Sequence, residues 1–152
     1  MAATDRQFIT FTVATEEYGV DIMAIREIKG WTPATALPEV PPHMRGVIDL
    51  RGTIVPIFDL RARFHHGLTE ATPTHVIIVV AVGAMMVGRL ADAVVDIVTV
   101  AESAIQPVPE TERDGQVCFL AGLVTVEGRM VVLLDLDRLL DRDKDVLART
   151  AA

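Results

Sequence analysis

The sequence is short of several features that whole classes of protein need. It has one cysteine, Cys118, which cannot form a disulfide within the chain and is typical of a reducing compartment. Its longest apolar stretch, residues 76–88, is shorter than the roughly 20 residues that a membrane-spanning helix needs. The N-terminus lacks the basic and then apolar regions of a signal peptide. We therefore expect a soluble, cytoplasmic protein with no direct membrane insertion.

Positive charge is also scarce. Lys and Arg number 14 against 21 Asp and Glu, which gives a net charge of -7, and no stretch gathers Lys and Arg into a cluster. The phosphate backbone of a nucleic acid would be repelled by such a chain. We exclude nucleic acid as a partner.

The usual motifs of catalysis and cofactor binding are missing. The sequence contains no Gly-x-Gly-x-x-Gly, P-loop or Gly-x-Ser-x-Gly. None of its histidines has the spacing of a metal site; they are His43, His65, His66 and His75. We expect no enzyme activity, no metal and no cofactor. A small-ligand-binding barrel remains an alternative. It would need titratable side chains that converge on one site, and the sequence offers no candidates for such a site beyond Glu27, Asp49 and Arg51.

What the sequence does contain is a β-hairpin pattern that occurs twice. In residues 46–60, runs rich in Val and Ile flank Asp49-Leu50-Arg51-Gly52, a segment that favours a tight turn. Residues 122–136 repeat this pattern without a gap, with glycine, Asp-Leu and the apolar positions in register. This is an internal repeat.

The repeat extends over most of the chain. Residues 76–82 resemble the opening strand, residues 7–13, so we divide a single domain, residues 1–152, into pseudo-repeats of about 6–64 and 75–140 with a linker near 65–74. Many short strands with tight turns predict an all-β, doubled barrel. Isoleucines at every third position, Ile22, Ile25 and Ile28, predict a short helical turn, and an apolar stripe from residue 136 to residue 147 predicts a C-terminal helix. The pattern leaves open whether the barrels exchange strands.

Two differences between the halves concern partners. Glu16-Glu17 at the first turn is replaced by Met85-Met86, which predicts an apolar, partner-facing turn; alternatively the turn lies at residues 82–84 and the Met pair packs inside. At the hairpin tip, Arg51 is replaced by Glu127, so the tip charge is reversed. Such asymmetry suits an adaptor with unlike partners.

Several segments together resemble the CheW family of chemotaxis coupling proteins. The resemblance covers nearly the whole chain and is carried by residues 18–22, 25–28, 46–52, 54–60, 120–122 and 135–140. It implies two packed SH3-like five-stranded β-barrels. It also implies a non-enzymatic adaptor that couples the cytoplasmic tips of chemoreceptors, the methyl-accepting chemotaxis proteins, to the regulatory domain of the histidine kinase CheA in membrane-associated arrays.

The resemblance also implies a receptor-binding set of residues. Carried over by position, this set is Ile25, Glu27, Gly46, Arg51 and Gly52, and Arg51 either contacts the receptor or bonds Glu27 to hold the shape of the site. Asp49 stands where the family usually has Asn, so the local network must differ, or Asp49 pairs with Arg51 or Arg45. A coupling protein that serves another output, such as surface motility or a second messenger, is the alternative function.

Overall fold

The structure is a computed structural model that describes residues 5–38, 43–63, 67, 69–107 and 120–139. Within them the strands are β1 (Asp5–Val13), β2 (Glu16–Asp21), β3 (Ile25–Gly30), β4 (Met44–Leu50), β5 (Thr53–Asp59), β6 (Val76–Val82), β7 (Met85–Ala91), β8 (Ala93–Ala101), β9 (Leu120–Val126) and β10 (Arg129–Leu134). Among the same residues, the helical segments are α1 (Leu60–Arg63), two 3-10 helices (Ile22–Ala24 and Glu102–Ala104) and residues 136–139.

The strands form two five-stranded sheets, and each sheet takes strands from both halves of the chain. Sheet A has the order β8-β1-β2-β10-β9, and sheet B has the order β3-β6-β7-β5-β4. The first two strands of each half therefore pair with the last three strands of the other half. The predicted all-β fold with two five-stranded units is confirmed, and the strands are exchanged between the units.

The two sheets have the same internal arrangement. Phe8 pairs with Asp21 as Ile77 pairs with Leu90, and Met44 pairs with Phe58 as Leu120 pairs with Leu134. We call residues that correspond in this way equivalent. This correspondence lets one half of the molecule serve as a reference for the other.

Buried apolar side chains of the described residues form three clusters. One cluster lies among the strands of sheet B and one among the strands of sheet A. The largest, here called the main core, joins the sheets, with Phe11 and Val20 from sheet A packed together with Phe58 and Val80 from sheet B. Burial of apolar surface in the main core holds the two sheets together.

The two predicted helical segments have different outcomes. Residues 136–139 are helical, and Leu139 is fully buried in the main core, so the C-terminal helix begins where predicted, while its continuation lies outside the described residues. The turn predicted from the isoleucines ends at Ala24, and the prediction for Ile25 and Ile28 is wrong because both lie in β3. Pairing of β3 with β6 overrides the local period of three.

The only tyrosine gives the fold a specific alkaline sensitivity. Tyr18 is buried in the main core, and burial, with a smaller effect of Glu16, raises its pKa to about 12. In the unfolded chain the phenol titrates near its ordinary pKa of about 10, so the unfolded chain releases this proton first. The contribution to stability is therefore complete below about pH 10 and is lost as the pH rises toward 12.

We expect the free energy of unfolding to fall by up to about 2 kcal/mol between about pH 9 and about pH 11.5 because of Tyr18. Urea unfolding at both pH values, compared between the native chain and Tyr18→Phe, measures this contribution. The variant should lose less stability than the native chain over the same interval. An equal loss in both proteins would mean that Tyr18 ionises freely in the folded state.

Candidate functional site

The first hairpin ends in a tight two-residue turn. Asp49 pairs with Ile54 and Leu50 with Thr53, which leaves Arg51 and Gly52 at the tip. Both tip residues have positive φ, 50° and 90°, as a type I′ turn requires. The Asp49 carboxylate accepts a hydrogen bond from the Gly52 backbone N–H at 2.8 Å. Asp49 therefore stabilises the turn through Gly52, whereas Arg45 pairs with Asp59 at 3.2 Å.

Two of the predicted site residues contact each other at this tip. The Arg51 guanidinium donates to Glu27 Oε1 at 2.6 Å, across from β3. The Arg51 side chain is 74% exposed and that of Glu27 is 27% exposed. Arg51 has five donors, so it can hold Glu27 and still offer N–H groups to a partner. An exposed ion pair of this kind contributes little to stability.

An apolar residue that sequence reasoning missed completes this surface. Ile54 is 61% exposed and lies beside Asp49 on the neighbouring strand. The register of the hairpin could have indicated this position, because Ile54 lies directly opposite Asp49 and such residues in an antiparallel pair share one face of the sheet. We call Glu27, Asp49, Arg51, Gly52 and Ile54 the tip surface.

Gly46 and Ile25 are not on the tip surface. Gly46 is buried and adjoins an isolated bridge in which Thr35 and Val47 exchange backbone hydrogen bonds of 2.8 and 3.0 Å. A Cβ at Gly46 would lie 2.2 Å from the Thr35 carbonyl oxygen. Ile25 is half-buried and packs against the main core. The structure thus gives Gly46 an internal packing role.

The second hairpin carries an equivalent tip with reversed charge. Glu127 and Gly128 have φ of 49° and 81°, and Met130, the equivalent of Ile54, is 58% exposed. Arg129 binds Glu17 at 2.9 Å, and this hydrogen bond is the main cause that raises the pKa of Arg129. At each tip an exposed apolar side chain therefore lies near a charged turn residue. This residue is positively charged at the first tip and negatively charged at the second.

The two methionines proposed as a partner-facing turn lie in a strand. The turn is formed by Gly83 and Ala84, and Met85 begins β7. Gly83 has a φ of 60°, as Ala14 has a φ of 57° at the equivalent turn, so the chain reverses before the methionines. Met85 packs against the main core and Met86 against the sheet B cluster. The placement in the turn is wrong, and the alternative of inward packing is correct.

We expect Met85→Glu to lower the free energy of unfolding by about 2 kcal/mol, because a carboxylate would replace apolar contact with the main core. Chemical denaturation measures the change. The matched control is Glu16→Met at the equivalent exposed position, which should stay within about 0.5 kcal/mol of the native protein. Equal stability of both variants would contradict inward packing of Met85.

The repeated Asp-Leu pair has the capping role that the repeat suggests. Asp59 accepts from the Arg61 backbone N–H at 3.0 Å at the start of α1, and Asp135 accepts from that of Arg138 at 3.1 Å. Asp59 is fully buried and also binds Thr69 through its backbone N–H and its hydroxyl at 2.8 and 2.7 Å. Through Thr69, Asp59 connects the linker to the end of the first hairpin by hydrogen bonds.

The described residues contain no group of three or more His, Cys, Asp or Glu side chains that could hold a metal ion. Among the same residues, no helix has the length and apolar character needed to cross a membrane. Cys118, His65 and His66 lie outside the described residues. The described part is a two-sheet β protein whose hairpin tips carry exposed apolar side chains near turn residues of opposite charge, so its two halves present unlike surfaces.

Comparison with known proteins gives this class a family. A family model described as a CheW-like domain matches residues 7–144. The chemotaxis protein CheW of Rhizobium meliloti (strain 1021) is 48% identical and aligns over 87% of this chain and 85% of its own length. The CheW of Klebsiella aerogenes is 35% identical and aligns over 97% of this chain and 89% of its own. The chain belongs to the CheW family.

A solved structure agrees with this assignment. The crystal structure of the scaffolding protein TtCheW from Thermoanaerobacter tengcongensis matches with a TM-score of 0.80 at 29% sequence identity. The match covers 89% of this chain and 87% of the TtCheW chain. The family assignment therefore rests on both sequence and fold.

Proposed function

We propose that this protein is a non-catalytic coupling protein of chemotaxis that links chemoreceptor tips to the regulatory domain of the histidine kinase CheA. The observation that carries the proposal is the pair of equivalent hairpin tips with opposite charge, Arg51 on one and Glu127 on the other. Membership of a family whose relatives are named chemotaxis and scaffolding proteins supports it. In this account the protein reaches membrane-associated receptor arrays through its partners.

The tip surface is the proposed contact for the receptor. Ile54 supplies exposed apolar area, and Arg51 supplies hydrogen-bond donors that fix the register of a bound helical hairpin. Gly52 permits the positive φ that presents Arg51 at the tip. Ile25 and Gly46 act through packing, Ile25 against the main core and Gly46 against the Thr35 backbone.

The exchange of strands supports a single functional domain. Each sheet needs strands from both halves, so neither pseudo-repeat has a complete sheet of its own. The two tips are therefore held at fixed positions on one body through the main core. A scaffold that sets the spacing between two partners needs such a body.

Co-elution on a sizing column tests the proposal. The purified protein is mixed separately with a CheA regulatory domain and with a receptor tip fragment from the same cell, at concentrations above the micromolar range. We expect it to shift to a larger size with each partner. Failure with both would contradict the proposal, and binding only to components of a different chemosensory system would assign the protein to that system.

A further inference from the structure

A groove of about 570 Å³ lies apart from both hairpin tips. It opens between the first 3-10 helix, the β6–β7 turn and the residues that follow β10. Apolar side chains contribute to its lining, among them Leu134 and Leu136. Its charged lining consists of three acids and one base, Asp21, Asp135, Asp137 and Arg6.

The equivalent place in the other half is filled by a polar network. Asp92 accepts a hydrogen bond from the Ala14 backbone N–H at 2.9 Å. The same carboxylate lies 3.5 Å from His75 Nε2 and 3.8 Å from Arg61 Nη1. Here the chain supplies both the central acid and the basic groups around it.

The groove has no counterpart of the Asp92 network among the described residues. Five of the differences between the groove and its equivalent involve charged or titratable side chains: Met23 replaces Asp92, Asp137 replaces Arg61, Arg6 replaces His75, Ala121 replaces Arg45 and Asp21 replaces Leu90. Met23 lines the groove with a side chain that is 79% exposed, so it does not fill the groove as the Asp92 network fills the equivalent place. The centre of the groove is thus open, and its surroundings have become acidic.

Among the described residues, the two cations beside the groove are each paired with one of its acids. Arg6 is bound to Asp21 at 3.1 Å, and Asp135 pairs with Arg138 at 3.5 Å. Asp137 is exposed and forms no ion pair within the described part of the chain. A basic group from outside would meet the Asp137 carboxylate there, and the net charge of -7 favours its approach.

We propose that this groove binds an arginine side chain presented by a partner protein. The guanidinium would take the central position that Asp92 occupies in the other half and donate to Asp137 and Asp135. The aliphatic stem would pack along Leu134 and Leu136, and Met23 would adapt to cover it. The groove adds a contact surface beyond the two tips, and its charge selects a basic partner segment.

The test uses two small probes on the full chain, N-acetyl-arginine amide and its uncharged isostere N-acetyl-citrulline amide. Each is titrated to about 10 mM, above the ~1 mM Kd that a weak single-residue contact would have. We expect the arginine probe to shift backbone NMR signals of Met23, Gly83 and Ala121, and the citrulline probe to bind at least about tenfold more weakly. No shift, shifts elsewhere, or equal binding of both probes would overturn the proposal.

Variants make the test specific to the groove. Asp137→Arg restores the cation found at Arg61, and the pair Met23→Asp with Asp137→Arg rebuilds the filled network of the other half. Both should abolish the shifts while the protein keeps its thermal midpoint. The control is Glu102→Arg, which makes the same charge change at an exposed residue outside the groove lining and both hairpin tips. Retention of binding in the Asp137 variants, or equal loss in the control, would overturn the assignment to the groove. The probes report on the groove alone, so this result is independent of receptor or kinase binding.

Discussion

Gly46→Ala should lower the free energy of unfolding by about 3 kcal/mol or more. Gly46 has a φ of +133°, which a residue with a Cβ rarely adopts, and the added Cβ would lie 2.2 Å from the Thr35 carbonyl oxygen. The obstacle is backbone held by two hydrogen bonds to Val47, so it cannot move aside as a flexible side chain would.

Urea denaturation of Gly46→Ala beside Gly30→Ala measures this effect. A Cβ at Gly30 would meet nothing within 4 Å, so Gly30→Ala should be nearly neutral and serves as the matched control. Similar stability of the two variants would mean that the Thr35 segment does not lie against the hairpin. Because Gly46 is buried, any loss of receptor binding in Gly46→Ala should follow the loss of folded protein.

Arg51→Glu should weaken binding of a receptor tip fragment at least about tenfold and leave the thermal midpoint nearly unchanged. The substitution reverses the charge of a side chain that is 74% exposed and places a carboxylate next to Glu27. An exposed turn residue contributes little to stability, so the effect should fall on binding alone. Titration followed by calorimetry and a thermal melt of the same preparation measure both quantities.

A charge swap separates the two roles open to Arg51. The double variant Glu27→Arg with Arg51→Glu restores an ion pair across the tip with the charges exchanged. Recovery of binding would show that the pair acts by holding the shape of the site. Persistent loss would show that the receptor contacts Arg51 directly. Native affinity in Arg51→Glu itself would remove Arg51 from the site.

The hairpins could be predicted from the sequence because their signals are local. The turn at Arg51-Gly52 depends on a few neighbouring residues, and the gap-free repeat fixes the second hairpin from the first. The exchange of strands could not be predicted in this way. It depends on which strands pair across the two halves, and the apolar pattern of a strand such as β6 is compatible with either neighbour.

The candidate site shows the same division. Local residue types predict the turn at Arg51 and Gly52, and the resemblance to the CheW family implies that both belong to the receptor-binding set. The spacing of three predicts a helical turn at Ile25 and Ile28, whereas pairing with β6 places both in β3. Ile54 was missed because exposure depends on what covers a strand. The groove could not be predicted from the sequence for a related reason, because its acidic residues come from segments far apart in the chain.

The most direct test of the account is whether this protein joins its two proposed partners in one complex. A receptor tip fragment is immobilised and incubated with CheA in the presence and absence of this protein, with Arg51→Glu as the matched variant. We predict that CheA is retained when the native protein is present and that retention falls with Arg51→Glu. Retention of CheA that does not change when this protein is added would contradict the coupling function.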